Sequence, residues 1–296
     1  MRYYFSGPTS NQRLLQKRDV RNLLFSYFHP FENSLKKHWI NNENVDCSKI
    51  GLLVDNGAFS LWNKFHGQQV NLDEYLKFCV GFLEKYKTTF KDIYFISLDH
   101  IPGRAGERPS LTERSHSAEI THKNYLKSLE HLDAKYLLPV VHQHEDEKWC
   151  LEYEKHTDYI CLSPANDEPD IIRSYWLDKC YAVLKPTTKT HGLAATGKLI
   201  MEDFPWYSTD SITWKLPGVY GKTFCLNSRK ELWQKYETLR FKDFDSLEAI
   251  NNFSMYDCEV GIVEKDQEKI VYQIDYYHYL ESMLTEVWEA KGVVWK

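Results

Sequence analysis

Short apolar runs that end on a polar or acidic residue recur along the chain, and they predict β-strands. The runs lie at 1–6, 51–59, 92–99, 136–142, 159–163, 190–193 and 206–210. Their apolar character is continuous rather than alternating, which favours a parallel sheet covered on both faces. Four runs end on groups that carry chemistry, namely Asp55, Asp99, His142 with Gln143, and Asp210.

Apolar residues at helical spacing occupy the intervals between these runs. Helices are predicted over about 12–27, 71–86, 111–132, 145–156 and 169–180, with another between 193 and 206 after a Gly-rich turn. Beyond Trp214 the alternation weakens. There the sequence predicts a loop over 215–221, a short helix over 230–239, a hairpin over 257–273 and a terminal helix over 276–291. No eighth strand is recognisable.

The repeat of strand and helix predicts an α/β fold, a (β/α)8 TIM-like barrel that is irregular near its last strand. A doubly wound open sheet is the alternative. We expect a single domain over 1–296, in which 1–215 forms the main barrel strands and the site. Residues 216–296 are expected to close it with a helical and hairpin appendage. Strand carboxyl ends share one mouth in such a barrel, which favours an enzyme over a passive scaffold.

Composition and charge limit the partners. A hydrophobic content of 43% is ample for a core, and a net charge of −5 argues against tight nucleic-acid binding by charge alone. The seven cysteines are scattered, with no CxxC or clustered Cys/His spacing, so neither a zinc site nor a disulfide framework is supported. Without a signal-peptide pattern or an apolar run near ~20 residues, we expect a soluble, cytoplasmic protein with no membrane partner.

Asp210 has the surroundings expected of a nucleophilic carboxylate. Ser208, Thr209 and Ser211 flank it, and their hydroxyls can donate hydrogen bonds to it. Such a carboxylate suits attack on a sugar carbon in retaining glycosyl transfer, with a second, buried carboxyl group as general acid and base. Asp55 and Asp99 are candidates for this second group. As alternatives, Asp55 only caps the Asn-Gly turn that follows it, and Asp99 only pairs with His100 or a nearby arginine.

Metal ligation is a further alternative, because Asp55, Asp99, His142 and His191 all lie near strand ends. Amidohydrolase-type barrels build metal sites in this way. They usually begin with an HxH pair on the first strand, whereas this strand is MRYYFS. We therefore expect no metal and no cofactor, and His191 is expected to orient a loop or to contact substrate.

The order of VDNGAF, SLDH, PVVHQ, YICLSPAND, THGLAATG and YSTDS resembles the tRNA-guanine transglycosylase superfamily. It is closer to the phage-type branch, the DNA-guanine transglycosylases, which carry a segment of the HG…PW.S.DS..W kind. That segment is matched by His191-Gly192, Pro205-Trp206, Ser208, Asp210-Ser211 and Trp214. The resemblance covers about 51–215, with YFSG at 4–7 as weaker support, and its specificity comes from the order and spacing of short motifs.

The resemblance implies a role for each candidate residue. Asp210 falls at the nucleophilic aspartate that attacks C1′ while guanine leaves, and Asp55 at the general acid and base. Asp99 falls at an aspartate that contacts the guanine edge, and either His142 or Gln143 at a base-contacting glutamine. The remaining substrate-binding positions are Ser163, which with Pro164 replaces a Gly-Gly backbone contact, and the pair His191 and Gly192.

The tRNA enzymes of this superfamily carry a CxCxxC…H zinc site, whereas this chain has only Cys225 and Cys258 after Asp210. The resemblance therefore implies DNA as the polymer, single-stranded or with a flipped base. It also implies a free 7-deazaguanine base such as preQ0 as the incoming group. The oligomeric state stays open. Base exchange on RNA, hydrolysis of a nucleoside or glycoside by the same acids, and a degenerate nucleic-acid-binding protein are the alternatives.

Overall fold

The computed structural model describes residues 1–65, 67–103, 109–195, 197–215, 222–226, 238–243 and 262–295. Its strands are β1 (Arg2–Ser6), β2 (Asn22–Ser26), β3 (Gly51–Asp55), β4 (Asp92–Ile96), β5 (Leu137–Leu138), β6 (Val140–His142), β7 (Tyr159–Ser163), β8 (Lys189–Gly192), β9 (Ser208–Ser211), β10 (Lys222–Leu226) and β11 (Thr238–Asp243). Its α-helices are α1 (Gln12–Lys17), α2 (Glu32–Leu35), α3 (Ala58–Lys64), α4 (Leu72–Tyr86), α5 (Leu111–Ser128), α6 (Lys148–Tyr153), α7 (Asp170–Val183), α8 (Lys198–Asp203) and α9 (Ile262–Ala290).

Nine parallel strands form a nearly closed barrel in the order β5-β4-β3-β2-β1-β9-β8-β7-β6. The seam lies at Pro139, which separates β5 from β6 because proline has no N–H to donate to the ladder. The Pro139 carbonyl still accepts the Cys161 N–H at 2.8 Å, and β5 pairs with β4 while β6 pairs with β7. Counting β5 and β6 as one interrupted strand gives eight positions around the barrel. The predicted TIM-like α/β barrel is thus confirmed.

The strand that the apolar pattern did not show is β2. The helix predicted over 12–27 is wrong in its second half, because α1 ends at Lys17 and the chain turns at Asp19, which has a φ of +50°. β2 then pairs with β1 on one side and β3 on the other. The barrel is accordingly regular at β9, which pairs with both β1 and β8, and its irregularity lies at Pro139 instead.

Most other predicted elements are confirmed with shorter bounds. The strand predicted over 51–59 stops at Asp55, where a turn leads into α3. The hairpin predicted over 257–273 is wrong from Ile262 onward, because α9 begins there. Residues 230–237 of the predicted short helix lie outside the described residues, and Thr238 and Leu239 belong to β11, which pairs with β10 in an antiparallel hairpin. The loop predicted over 215–221 lies outside the described residues except for Lys215, and the domain bounds stay a prediction.

The inside of the barrel is filled by a layer of apolar side chains. Tyr4, Leu24 and Leu53 lie in one buried cluster with Ile96, Leu138, Val140, Tyr159, Cys161 and Tyr207. Successive residues of a strand alternate between its two faces, so the residues two positions further along β1, β2 and β3 share this inward face. Those residues are Ser6, Ser26 and Asp55. A polar layer therefore lies on the apolar one at the carboxyl ends of the strands.

The long helix α9 packs on the outside of the barrel. The ring of Tyr277 stacks on that of Tyr3 with a centroid distance of 4.1 Å, and its hydroxyl lies 2.7 Å from Oγ1 of Thr213. Asp275 forms an ion pair with Arg18. These contacts join α9 to β1, to α1 and to the segment after β9. None of the described helices is both long enough and apolar enough to span a membrane.

Candidate active site

The predicted site residues converge at the carboxyl-terminal end of the barrel. Asp55, His142, Ser163 and Gly192 are the last residues of β3, β6, β7 and β8. Asp210 lies in β9, His191 in β8, and Asp99 and Gln143 just beyond β4 and β6. In barrels of this kind the carboxyl-terminal face is where active sites are built.

Asp210 is 7% exposed, and both of its carboxyl oxygens accept hydrogen bonds. The hydroxyl of Ser6 donates to Oδ2 at 2.6 Å, and the backbone N–H of Ala194 donates to Oδ1 at 3.0 Å. These two donors hold the Asp210 carboxyl group in one orientation.

The donors to Asp210 are not the ones that the flanking sequence predicts. Ser208 contacts the ring of His191 instead, Ser211 accepts from the N–H of Thr213, and the buried hydroxyl of Thr209 has no partner. Ser6 reaches Asp210 because β1 pairs with β9 in the barrel, 204 residues away in the chain. The Tyr4–Gly7 motif was the only sequence signal for it.

Ala194 donates through an unusual backbone conformation. Its φ is +49°, in the left-handed region that few residues other than glycine adopt. This turn, directly after β8, aims the Ala194 N–H at Oδ1 of Asp210. Strained conformations of this kind persist only where the surrounding structure enforces them, and they concentrate at functional sites.

Asp55 is half-buried at the end of β3, and the N–H of Gly57 donates to its Oδ2 at 3.1 Å. Burial, followed by the negative charges of Asp99 and Asp210, raises its pKa from an ordinary 3.8 to about 7. The hydroxyl of Ser26 and the Gly57 N–H act in the opposite sense. Asp55 is therefore able to hold or release a proton near neutral pH, which a general acid and base requires.

The turn after Asp55 packs closely against Phe28, which requires a glycine at position 57. Gly57 has a φ of +75°, and a Cβ there would lie 2.7 Å from Cβ of Phe28. Asn56 is buried, and its side-chain amide donates to Oδ1 of Asp99 at 2.8 Å while its oxygen accepts the N–H of Ala58 at 2.8 Å. Asn56 thus links the Asp55 turn to Asp99, a role that the turn propensity of Asn-Gly did not reveal.

Asp99 and His142 form a buried pair, with Nε2 of His142 2.7 Å from Oδ2 of Asp99. Burial alone would raise the pKa of Asp99, but the hydrogen bond and charge of His142, with the Asn56 amide, hold it below its usual value. Burial likewise opposes the charge on His142, and Asp99 outweighs it and raises the pKa of His142 to about 9. The pair is therefore an imidazolium and a carboxylate at neutral pH.

Glu145 contacts the backbone of His142, and the sequence analysis did not identify it. Its Oε2 accepts the backbone N–H of His142 at 2.9 Å, and burial raises its pKa to about 7. The charge of His142 acts in the opposite sense on Glu145. Of the alternative partners of Asp99, His100 instead contacts Ser117 through Nδ1 at 3.1 Å, and Arg104 and Arg108 lie outside the described residues.

The side chains of His142 and Gln143 do different things. His142 contacts Asp99, whereas Gln143 is 4% exposed and its Oε1 accepts the N–H of Ala165 at 2.7 Å. The backbone N–H of Gln143 donates to the carbonyl of Ser163 at 3.0 Å. Gln143 therefore holds the loop after β7, whereas His142 contacts Asp99 together with Asn56.

His191 and Gly192 are the last two residues of β8, and both are buried. His191 is fully buried, with Nδ1 2.6 Å from the Ser208 hydroxyl and Nε2 3.3 Å from Oδ1 of Asp210. A Cβ at Gly192 would lie 2.6 Å from Cβ of Ala195 and 3.1 Å from the ring of Trp206. Gly192 thus permits close packing of the loop that carries the Ala194 N–H. Substrate contact by these two residues stays a prediction.

An exposed aromatic ring follows Asp55 closely in the chain. Phe59 lies in the first turn of α3, four residues after Asp55, and is 64% exposed. Its ring stacks on that of Trp62, with a centroid distance of 6.1 Å and an interplanar angle of 28°. Large exposed rings provide flat faces on which a planar group can stack. In the described part of the chain, no group of three or more His, Cys, Asp and Glu side chains is placed to hold a metal ion.

Comparison with models of known protein families gives no match to this chain, and neither does comparison with curated proteins. The fold and the site define the chain as a TIM-like α/β barrel with acidic residues converging at its carboxyl-terminal mouth.

Proposed function

We propose that this protein exchanges guanine in DNA for a free 7-deazaguanine base, through a covalent bond between Asp210 and C1′ of the target nucleotide. The observation that carries the proposal is the difference between two acids at one barrel mouth. Asp210 accepts donors at both oxygens, while the pKa of Asp55 is raised to about 7. One carboxyl group oriented by donors as a nucleophile, and a second able to exchange a proton near neutral pH, are what two-step glycosyl transfer requires.

In the first step, a carboxylate oxygen of Asp210 attacks C1′ and the bond from C1′ to the guanine ring nitrogen breaks. The electron pair of that bond leaves with the base, and the proton of Asp55 neutralises it. Oδ2 of Asp210 accepts one hydrogen bond in the structure, from Ser6, and Oδ1 also has His191 Nε2 beside it. Oδ2 is therefore the less encumbered nucleophilic oxygen.

In the second step the incoming base gives its ring-nitrogen proton to the Asp55 carboxylate and attacks C1′. Asp210 leaves as a carboxylate, and the enzyme returns to its starting protonation state. The donors Ser6 and Ala194 stabilise the departing carboxylate as they stabilise the resting one. A proton acceptor and donor with a pKa near 7 serves both halves of the cycle.

Recognition of guanine is proposed to fall to Asp99. Guanine presents two adjacent donors, its ring N–H and its 2-amino group, which match a carboxylate. His142 and Asn56 favour the ionised form of Asp99 without occupying all of its acceptor positions. Adenine presents an acceptor where guanine has its ring N–H, so its ring nitrogen would face a carboxylate oxygen of Asp99 with no proton between them. The exposed ring of Phe59 provides a face on which the base can stack.

DNA is the proposed polymer because the chain lacks the CxCxxC…H zinc motif of the tRNA enzymes that it otherwise resembles. The acids lie at the mouth of a barrel, so the target base must be unpaired or flipped out of a duplex to reach them. With a net charge of −5, binding must come from local contacts at this mouth rather than from overall attraction.

The proposal is tested by exchange of labelled guanine, which requires no knowledge of the natural incoming base. Purified protein is incubated with labelled guanine and guanine-containing DNA, single-stranded or duplex, and separately with tRNA. Mass spectrometry of the nucleosides after incubation with preQ0 then tests 7-deazaguanine insertion. Asp210→Asn is the inactive variant. Asp158→Asn is the matched control, because Asp158 is an exposed carboxylate at the amino-terminal edge of β7.

We expect incorporation into DNA by the unaltered protein and by Asp158→Asn, and none by Asp210→Asn. A protein–DNA adduct that survives denaturation should accumulate when the incoming base is withheld. Incorporation into tRNA alone would overturn the DNA assignment. Release of free guanine without incorporation would instead identify a hydrolase that uses the same acids.

A further inference from the structure

His191 is fully buried, and one of its ring nitrogens lacks a well-formed hydrogen bond. Nδ1 lies 2.6 Å from the Ser208 hydroxyl, while the buried Nε2 has no partner of good geometry. The closest acceptor to Nε2 is Oδ1 of Asp210, at 3.3 Å. A buried polar nitrogen this close to the proposed nucleophile calls for an explanation, since leaving one unpaired costs about 1–3 kcal/mol.

Two hydroxyl groups determine which nitrogen of His191 carries the proton. Ser208 Oγ contacts both Nδ1 of His191 and the hydroxyl of Tyr159, and all three groups are buried. If Tyr159 donates to Ser208, then Ser208 donates to Nδ1, and the imidazole proton lies on Nε2. In the opposite arrangement Nδ1 of His191 donates to Ser208, and Ser208 donates to Tyr159. The Tyr159 hydroxyl would then need another acceptor for its own proton, and Ser208 is the partner that the described residues provide for it. The reverse direction would also place the lone pair of Nε2 against a carboxylate oxygen.

We propose that His191 is a positioning residue for Asp210: the Tyr159–Ser208 pair holds its ring in the tautomer with the proton on Nε2, and this N–H directs Oδ1 of Asp210. This positioning role of His191 rests on the proposed function. Oδ1 is then held by the Ala194 N–H and by His191, so that Oδ2 is the oxygen presented to C1′. When the Asp210–sugar bond breaks in the second step, the same two N–H groups receive the restored charge on Oδ1.

The first test measures the tautomer itself and does not depend on activity. In protein labelled with nitrogen-15 at histidine, long-range proton–nitrogen spectra distinguish a protonated Nε2 from a protonated Nδ1. The His191 signals are identified by their loss in His191→Gln. We expect the Nε2–H tautomer in the unaltered protein and a shift towards the Nδ1–H tautomer in Ser208→Ala. An Nδ1–H tautomer in the unaltered protein would overturn the inference, whatever the protein catalyses.

The second test follows the rate of adduct formation in a single turnover. His191→Leu should slow it by about 10- to 100-fold, the range expected for losing a hydrogen bond to a charged group, with KM unchanged. Glutamine carries an N–H near the position of Nε2, so His191→Gln should recover most of this loss. Thr209→Val is the matched control, because Thr209 is a neighbouring buried residue whose hydroxyl has no partner. Its rate should be unchanged.

The double variant separates a tautomer effect from a packing effect. Ser208→Ala should slow adduct formation by about 10-fold in the unaltered background and by less than about 2-fold in His191→Gln, because glutamine has no tautomer to fix. Equal losses in both backgrounds would overturn the inference. If neither the unaltered protein nor any variant forms an adduct, the proposed function fails. The nitrogen-15 spectra still decide the tautomer of His191 in that case.

Discussion

Replacing Asp55 by asparagine should make the folded protein more stable at alkaline pH while it removes activity. Asp55 ionises in a half-buried position against the charges of two other acids, and asparagine has nearly the same shape without the charge. Its side-chain oxygen still accepts the Gly57 N–H. The aspartate at this position therefore lowers the stability of the folded protein, and in return it can exchange a proton near neutral pH.

The magnitude follows from the pKa. Below about pH 4, Asp55 is protonated in both the folded and the unfolded chain. Between pH 4 and 7 the unfolded chain has released this proton and the folded protein has not, so the free energy of unfolding falls as pH rises. Above about 7 the loss is complete. A pKa raised from 3.8 to about 7 corresponds to about 4 kcal/mol.

The assay is urea unfolding of the unaltered protein and Asp55→Asn at pH 5 and pH 8. We expect the free energy of unfolding of Asp55→Asn, relative to that of the unaltered protein, to be about 2–4 kcal/mol higher at pH 8 than at pH 5. His142 and Glu145 also titrate abnormally, but they are present in both proteins and largely cancel in the difference. Asp158→Asn should show no such gain. A difference between the proteins that does not change with pH would refute the assignment of the raised pKa to Asp55.

Three further substitutions, one of them a control, test base recognition and the turn geometry. Asp99→Asn should lower kcat/KM for exchange by about 100-fold or more and reduce discrimination against inosine-containing DNA, which lacks the 2-amino group; undiminished discrimination would contradict the role of Asp99. Gly57→Ala should destabilise the protein by about 1–3 kcal/mol in urea unfolding, because its φ is +75° and a Cβ would lie 2.7 Å from Phe28. Gly81→Ala, where no atom lies within 4 Å, should instead stabilise α4 by about 0.5–1 kcal/mol, and equal effects would contradict this explanation.

The barrel class and most of its strands could be predicted from apolar runs that stop at polar residues. β2 could not, because Leu23 and Leu24 continue the helical spacing set by Leu14 and Leu15. The break between α1 and β2 is made by Asp19 in a left-handed conformation, and aspartate is a much weaker sequence signal for such a turn than glycine. Pro139 gives the opposite case, since it interrupts a strand in the middle without ending it.

The positions of Asp55, Asp99 and Asp210 at or near the carboxyl ends of strands could be predicted, but the groups that contact their carboxylates could not. Ser6 and Asp210 meet only through the pairing of β1 with β9, and nothing in the local sequence encodes that contact. The flanking hydroxyls of Asp210 mislead for the same reason, since the barrel gives Ser208 to His191. The contact of Glu145 with His142 spans only three residues, in a turn where His144 has a φ of +74°, and histidine is a weak sequence signal for such a turn.

The contact between Ser6 and Asp210 also affects how the protein is made on the ribosome. The two residues are 204 positions apart, so at about 5–20 residues per second β1 waits roughly 10–40 s for the strand that completes its pairing. During this time one edge of β1 is unpaired and open to wrong partners. No nascent chain or truncated product that stops before β9 contains the proposed active site, so catalysis would begin only when synthesis has passed the last barrel strand.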